Sequence, residues 1–383
     1  MSTTNIEQIL NEAQKKINLK QYKEALKTLK PLKKKYLASN SNANSNSQHV
    51  LSILPLFATC YLETDNIEKA YPILLRCCEL DPDGVKNGCE SFLTLGQIMG
   101  GELGLKYLTK GVEIANNQKE VPKVVNGILA MIEVWMTDLC MEPNAEQECE
   151  GLINKAMEIS QGESPEVWSV LGSIRISQQR FNEAAECFVK SWKYFQTEKL
   201  KLEENLSNQT IDHDQYIGLV QPLLNCSKMC IEMGLYETSI EILSAVKDID
   251  EDNLEALYLE GFTNYLMAKV KQQVFNNGLS VQTPEDFYKF NAHIQDCKLN
   301  VDDTNIDIQD FIYDSRVALS FTLKIGENIA DPEDTIAQEI VQGAQELLFG
   351  ELGGPIDDSE LIKIKKGVEV DVNEDIEIEE HQA

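Results

Sequence analysis

The segment Trp168–Phe188, W-S-V-L-G-S-I-R-I-S-Q-Q-R-F-N-E-A-A-E-C-F, constrains this chain more than any other. Leu171, Gly172 and Arg175 follow Trp168 at i+3, i+4 and i+7, so they share one face of a helix. After a polar break, Phe181, Ala184 and Phe188 repeat the same kind of spacing. Such a pattern describes two antiparallel helices. Gly172 and Ala184 are small enough to let the helix axes approach, while the large side chains fill the space on either side.

The arrangement resembles the tetratricopeptide repeat (TPR), a helical hairpin of about 34 residues. It recurs along the chain. Leu54, Phe57, Ala58, Tyr61, Ile67, Ala70, Leu74, Cys77 and Pro82 occupy equivalent positions, as do Leu223, Cys226, Ser227, Cys230, Tyr236, Ser239, Leu243 and Val246. Ile9, Ala13, Tyr22, Ala25 and Leu29 form a weaker first unit, and Phe92, Leu95, Gly96, Gly104, Leu108 and Gly111 a unit with a shortened link. Helices near 122–140 and 145–160 read as a degenerate unit, and beyond Asn253 a further hairpin drifts from the pattern. Each hairpin leaves an apolar face that only a neighbour can bury. The expected fold is therefore all-α: a right-handed α-solenoid of tetratricopeptide-like helical hairpins with a disordered acidic C-terminal tail.

The expected solenoid spans 1–350, with a flexible loop at 39–48, an insertion at 197–214 and capping helices at 307–349. The insertion lengthens one repeat helix before a loop, and a short helix starts at Pro284. Residues 351–383, rich in Asp and Glu, are expected to form a mobile tail.

The net charge of −29 over 383 residues rules against phosphate-directed nucleic-acid binding, which needs a basic footprint. It is not evenly placed. Residues 1–50 carry nine lysines against three glutamates, a net of +6, so the later repeats and the tail hold nearly all the negative charge. Acidity alone serves solubility; it also suits a basic partner by steering association. The N-terminus has no signal-peptide pattern and no run is apolar enough for a membrane span, so a soluble intracellular protein without a membrane partner is expected.

The ten cysteines form no CxxC and the four histidines stand apart. Cys226 and Cys230, one turn apart, could share a metal, but both fall at core positions of the repeat, so no metal and no cofactor are expected. No G-x-S-x-G, Walker or GxGxxG motif is present, and His213 between Asp212 and Asp214 reads as a solvated loop residue. The chain does not read as an enzyme.

A solenoid of hairpins offers the faces of its first helices to an extended segment. The carboxylate clamp by which other TPR domains hold acidic C-termini needs Lys and Asn at set positions. Here Leu10, Gln14, Pro55, Thr59, Ser169 and Ser173 fill them, and only Asn225 and Lys228 have suitable chemistry. What the first helices do carry is Glu63, Glu133, Glu166, Glu232 and Glu255, with Tyr258 and Phe262 beside the last. Singly each carboxylate reads as a solvated side chain. Together with Ser169 and Ser173 they could form an acidic face for a Lys/Arg-rich segment, the aromatics covering arginine stems.

The run E-V-W-S-V-L-G-S-I-R-I-S-Q-Q-R-F-N-E-A, with A-Q-E-L-L-F-G-E-L-G-G-P-I-D-D near the C-terminus and the acidic tail, resembles the fungal TPR-repeat assembly chaperones of the large-subunit ribosomal protein L-four. The resemblance implies a non-catalytic escort, present in cytoplasm and nucleus, for a newly made basic ribosomal protein of the large subunit. It implies shielding of that protein's long internal loop, passage to the nucleus with import factors reached through the client, and release into pre-60S ribosomes. A monomer is expected. The competing expectation is a TPR scaffold subunit that binds a partner helix or peptide through apolar contacts.

Overall fold

The computed structural model describes residues 3–37, 49–208, 213–278, 280–327 and 334–366. The loop expected at 39–48 and the residues 367–383 lie outside them. Among the described residues all regular structure is helical, and no helix is long and apolar enough to cross a membrane. By internal packing the chain divides into two units, 1–167 and 168–383.

The first unit holds α1 (Thr3–Asn18), α2 (Tyr22–Tyr36), α3 (Val50–Leu62), α4 (Ile67–Leu80), α5 (Glu90–Met99), α6 (Gly101–Asn117), α7 (Val121–Met136) and α8 (Ala145–Ile159). Each helix packs on the next, and first helices also meet, α1 with α3 and α5 with α7. That sequence of contacts is the signature of stacked hairpins. The repeat residues behave as read: Leu54, Phe57, Ala58, Tyr61, Ala70, Leu74 and Cys77 are buried. Gly96 and Gly104 set the α5–α6 approach, since a Cβ at Gly104 would stand 2.4 Å from the Gly96 carbonyl oxygen.

Between the units the boundary falls within α9 (Pro165–Ser177). The second unit continues with α10 (Phe181–Ser207), α11 (His213–Ile217), α12 (Val220–Glu232), α13 (Tyr236–Ile249), α14 (Leu254–Asn277), α15 (Pro284–Ala292), a 3₁₀ turn (Ile294–Asp296), α16 (Ile306–Gly326), α17 (Thr335–Gly350) and α18 (Asp358–Lys365). Its core gathers Phe188, Trp192, Phe195, Leu223, Leu243, Leu266 and Leu319. A Cβ on Gly172 would lie 2.6 Å from the Phe188 ring, so this glycine does admit the second helix of its hairpin. Cys226 and Cys230 are both fully buried, with the Cys226 sulfur 3.7 Å from the Ser191 hydroxyl. Hydrogen bonding to Cys226, followed by burial, holds the Cys230 thiol well above its ordinary pKa.

One turn recurs. Lys20, Asp65, Lys119, Gln161, Gln179 and Gly234 take positive φ between consecutive helices. The residue after each of the first three donates its amide five residues back: Gln21 to Lys16, Asn66 to Tyr61, and Glu120 to Ala115. Gly162, Arg180 and Leu235 do the same to Met157, Arg175 and Cys230. This left-handed closure satisfies carbonyls at the helix end without a side-chain cap. Later helices start differently. Asn253, Thr283, Asn305 and Asp334 each accept an amide proton of the following first turn, as Ser164 already does at the start of α9.

The tail boundary differs from expectation. Residues 351–366 are not an acidic extension but part of the second unit. Leu352, Ile356 and Leu361 are buried, and the Ile356 amide donates to Ser320 Oγ at 3.0 Å. Arg316 Nε donates to the Gly354 carbonyl at 2.9 Å, and the Tyr313 hydroxyl to Glu360 at 2.8 Å. Leu361 is the buried residue of α18, and Tyr313–Glu360 and Lys324–Asp358 tie that helix to α16.

Candidate functional site

The nine residues singled out in the sequence fall in both units, and each group stands by itself. In the first unit Glu63 ends α3 and Glu133 projects from α7, both exposed. Glu166, in the first turn of α9, is half-buried and accepts a 2.8 Å hydrogen bond from Ser164 Oγ. These carboxylates stand on separate hairpins.

The second unit joins its members more closely. Ser173 Oγ donates to the Ser169 carbonyl at 3.3 Å and lies 3.9 Å from the Met229 sulfur, so α9 and α12 meet along this face. Lys228 on α12 forms an ion pair with Glu255 on α14, linking the next two first helices. Glu232, at the end of α12, keeps an exposed side chain, yet the surrounding protein desolvates its carboxyl and raises its pKa. That is the environment in which a cation would be welcome, because it offsets the desolvation.

Tyr258 and Phe262 stack on each other with centroids 6.1 Å apart, and Phe262 continues to the buried Tyr265 at 6.2 Å. Tyr258 also touches α17, where a Cβ on Gly343 would stand 3.0 Å from its hydroxyl. Burial, then the charge of Glu346, raises its pKa. Both aromatics are half-buried.

Sequence reading treats Lys228 as an isolated clamp-like residue and passes over Met229. The available signal for the first was the opposite sign of Glu255 on the next first helix. Met229 had none, since its place opposite Ser173 depends on how hairpins stack. Chemically, the face in the second unit combines hydroxyls, a thioether, one internally paired carboxylate and one desolvated carboxylate. It presents no nucleophile beside a base, and no group of three or more His, Cys, Asp or Glu among the described residues is placed to hold a metal ion.

Residues 252–378 match the family described as ACL4 C-terminal domain, and residues 56–83 match the tetratricopeptide repeat. A protein of Emericella nidulans named probable assembly chaperone of rpl4 is 29% identical over 60% of this chain and 58% of its own length. Its namesake in Schizosaccharomyces pombe is 26% identical over 58% of this chain and 65% of its own length. The resemblance to the fungal assembly chaperones of rpl4 holds. The matches span about three fifths of the length of these curated relatives. A solved structure, the assembly chaperone of RpL4 (Acl4), residues 1–338, shares the fold with a TM-score of 0.54 at 22% identity, over 70% of this chain and 99% of that one. The ACL4 C-terminal match begins at the start of α14, where the repeat pattern drifts, and it runs through α18.

Proposed function

We propose that this chain is a non-catalytic chaperone of a newly made ribosomal protein of the L4 type, held through basic segments on the acidic first-helix face. The observation that carries this reading is the pair of relatives named assembly chaperone of rpl4, whose likeness extends over 60% and 58% of the chain. The geometry agrees with it. A segment built to sit in ribosomal RNA is rich in Lys and Arg and lacks its counter-charge before assembly. Glu232 and Glu255 would supply that counter-charge, with Ser169 and Ser173 as hydrogen-bonding partners and Tyr258 and Phe262 against arginine stems. In the first unit, taken by itself, Glu63, Glu133 and Glu166 would offer acidic contacts of their own.

Escort of the client into the nucleus, import factors engaged through the client, and release into pre-60S particles belong to the same proposal. RNA has the denser charge and would compete the client away. The chain would then be found in both cytoplasm and nucleus, which microscopy of a tagged copy tests directly.

The binding test uses purified full-length chain and purified ribosomal protein L4. Complex formation is expected in low salt and should weaken by at least about tenfold as salt rises to near 1 M, where the screening length falls to about 3 Å. Glu232→Lys together with Glu255→Lys is expected to weaken the low-salt complex by at least about tenfold, roughly 1.4 kcal/mol. A far-ultraviolet dichroism spectrum should remain that of the parent. Unchanged affinity in the double variant would remove this face as the client site. Binding indifferent to salt would instead favour a scaffold that holds its partner by apolar contacts.

A further inference from the structure

A second surface lies away from the first-helix face, where α13, α14, α16 and α18 enclose an open cleft of about 910 Å³. Its volume is that of a site for a short segment rather than a domain. Ile249, Val317, Phe321 and Ile364 contribute half-buried apolar surface, and five carboxylates against two lysines give its lining a negative sign.

Those lysines are already engaged. Lys247 donates to both oxygens of Glu260 at 2.7 and 2.6 Å, and Lys365 of α18 pairs with Asp252 at 3.0 Å. Asp248 is held by Lys199 at 3.0 Å. Glu251 and Asp314 have no hydrogen bond or ion pair among the described residues. Burial, followed by Asp310 and Glu260, raises the pKa of Asp314, so its charge stands in a field of its own sign. An apolar floor with unpaired carboxylates at its rim is complementary to a segment that alternates cationic and apolar residues. Nucleic acid is excluded by the same charge, and so is the chain's own continuation past Lys366, whose residues 367–383 carry seven acidic side chains and no Lys or Arg.

We propose that the cleft between α13, α14, α16 and α18 is a second docking site, one that takes a Lys/Arg-rich protein segment with apolar residues between its charges. The cations meet Glu251 and Asp314, and one displaces Lys365 from Asp252. That exchange costs little because both partners of this ion pair are more than half exposed. The apolar residues cover Val317, Phe321 and Ile364. This inference does not depend on which basic protein is the client.

The test titrates full-length chain with a short fluorescein-labelled peptide alternating Arg or Lys with Leu or Ile. A peptide of equal charge with Ser at the apolar places serves as control. The apolar-basic peptide is expected to bind at least about tenfold more tightly than the control, and to slow amide exchange in α16 and α18. Glu251→Lys with Asp314→Lys should abolish that preference. Glu251→Lys alone, in an exposed turn, should weaken binding severalfold without touching the core. Equal binding of both peptides, protection confined to other helices, or indifference to these substitutions would overturn the proposal. Binding of ribosomal protein L4 is measured on the same preparations. Loss of that complex with peptide binding intact would count against the client reading and not against the cleft.

Discussion

Replacement of Glu351 by alanine is expected to lower the unfolding free energy of the second unit by about 3–5 kcal/mol, the cost of leaving a buried charge without its counter-ion. Its partner, Lys269, has only 1% of its side chain exposed. The ammonium sits 2.8 Å from Glu351, 3.2 Å from the Ile294 carbonyl and 4.6 Å from the centre of the Tyr265 ring. Without the carboxylate, one carbonyl and one ring face must compensate a full charge in a site that water does not reach. Lys269→Met should also destabilise, because it leaves the buried Glu351 Oε2 with neither its ammonium partner nor water. Lys269→Met with Glu351→Leu is then expected close to the parent. Urea titration of these proteins, with Glu351→Leu alone as the missing corner, closes the Lys269→Met/Glu351→Leu cycle. An alanine variant within about 1 kcal/mol of the parent would show that the pair is not desolvated as its geometry requires.

Phe188→Ala is the second large effect, with an expected loss of about 3–5 kcal/mol. Phe188 is fully buried, and its ring fills the space that Gly172 leaves. The reciprocal change, Gly172→Ala, puts a methyl group 2.6 Å from that ring and should cost about 1–3 kcal/mol by overpacking. Because the two act on one space, Gly172→Ala with Phe188→Leu should cost clearly less than the sum of the single changes. Additive denaturation midpoints would mean that the two helices are not held at this contact.

The hairpins were legible because their code is local. Trp168, Gly172, Ala184 and Phe188 fix one hairpin by spacing alone, and the same spacing located Cys226 and Cys230 in the core. Helices occupy Ile306–Gly326 and Thr335–Gly350, where apolar periodicity is also local. Residues 351–366 were not legible as structure. They hold four acidic residues against three lysines beside the acidic run that follows, and what orders them is distant: Tyr313 to Glu360, Ser320 to Ile356, Arg316 to Gly354. The candidate face divides in the same way. Which residues lie on first helices follows from period. That Lys228 neutralises Glu255, that Met229 meets Ser173, and that α17 covers much of Tyr258 depend on stacking between hairpins, which no window of sequence contains.

The Lys228–Glu255 pair also sets a ceiling on how tightly this face can hold anything. A guest lysine arriving at Glu255 does not meet a bare carboxylate; it trades places with a resident one. The gain is the difference between two similar contacts, and Lys228, once displaced, repels the newcomer. A surface meant to keep its cargo would omit such an occupant. One that must surrender cargo to RNA profits from it, because the resident lysine returns to Glu255 as the guest departs and the acidic site is never left uncompensated.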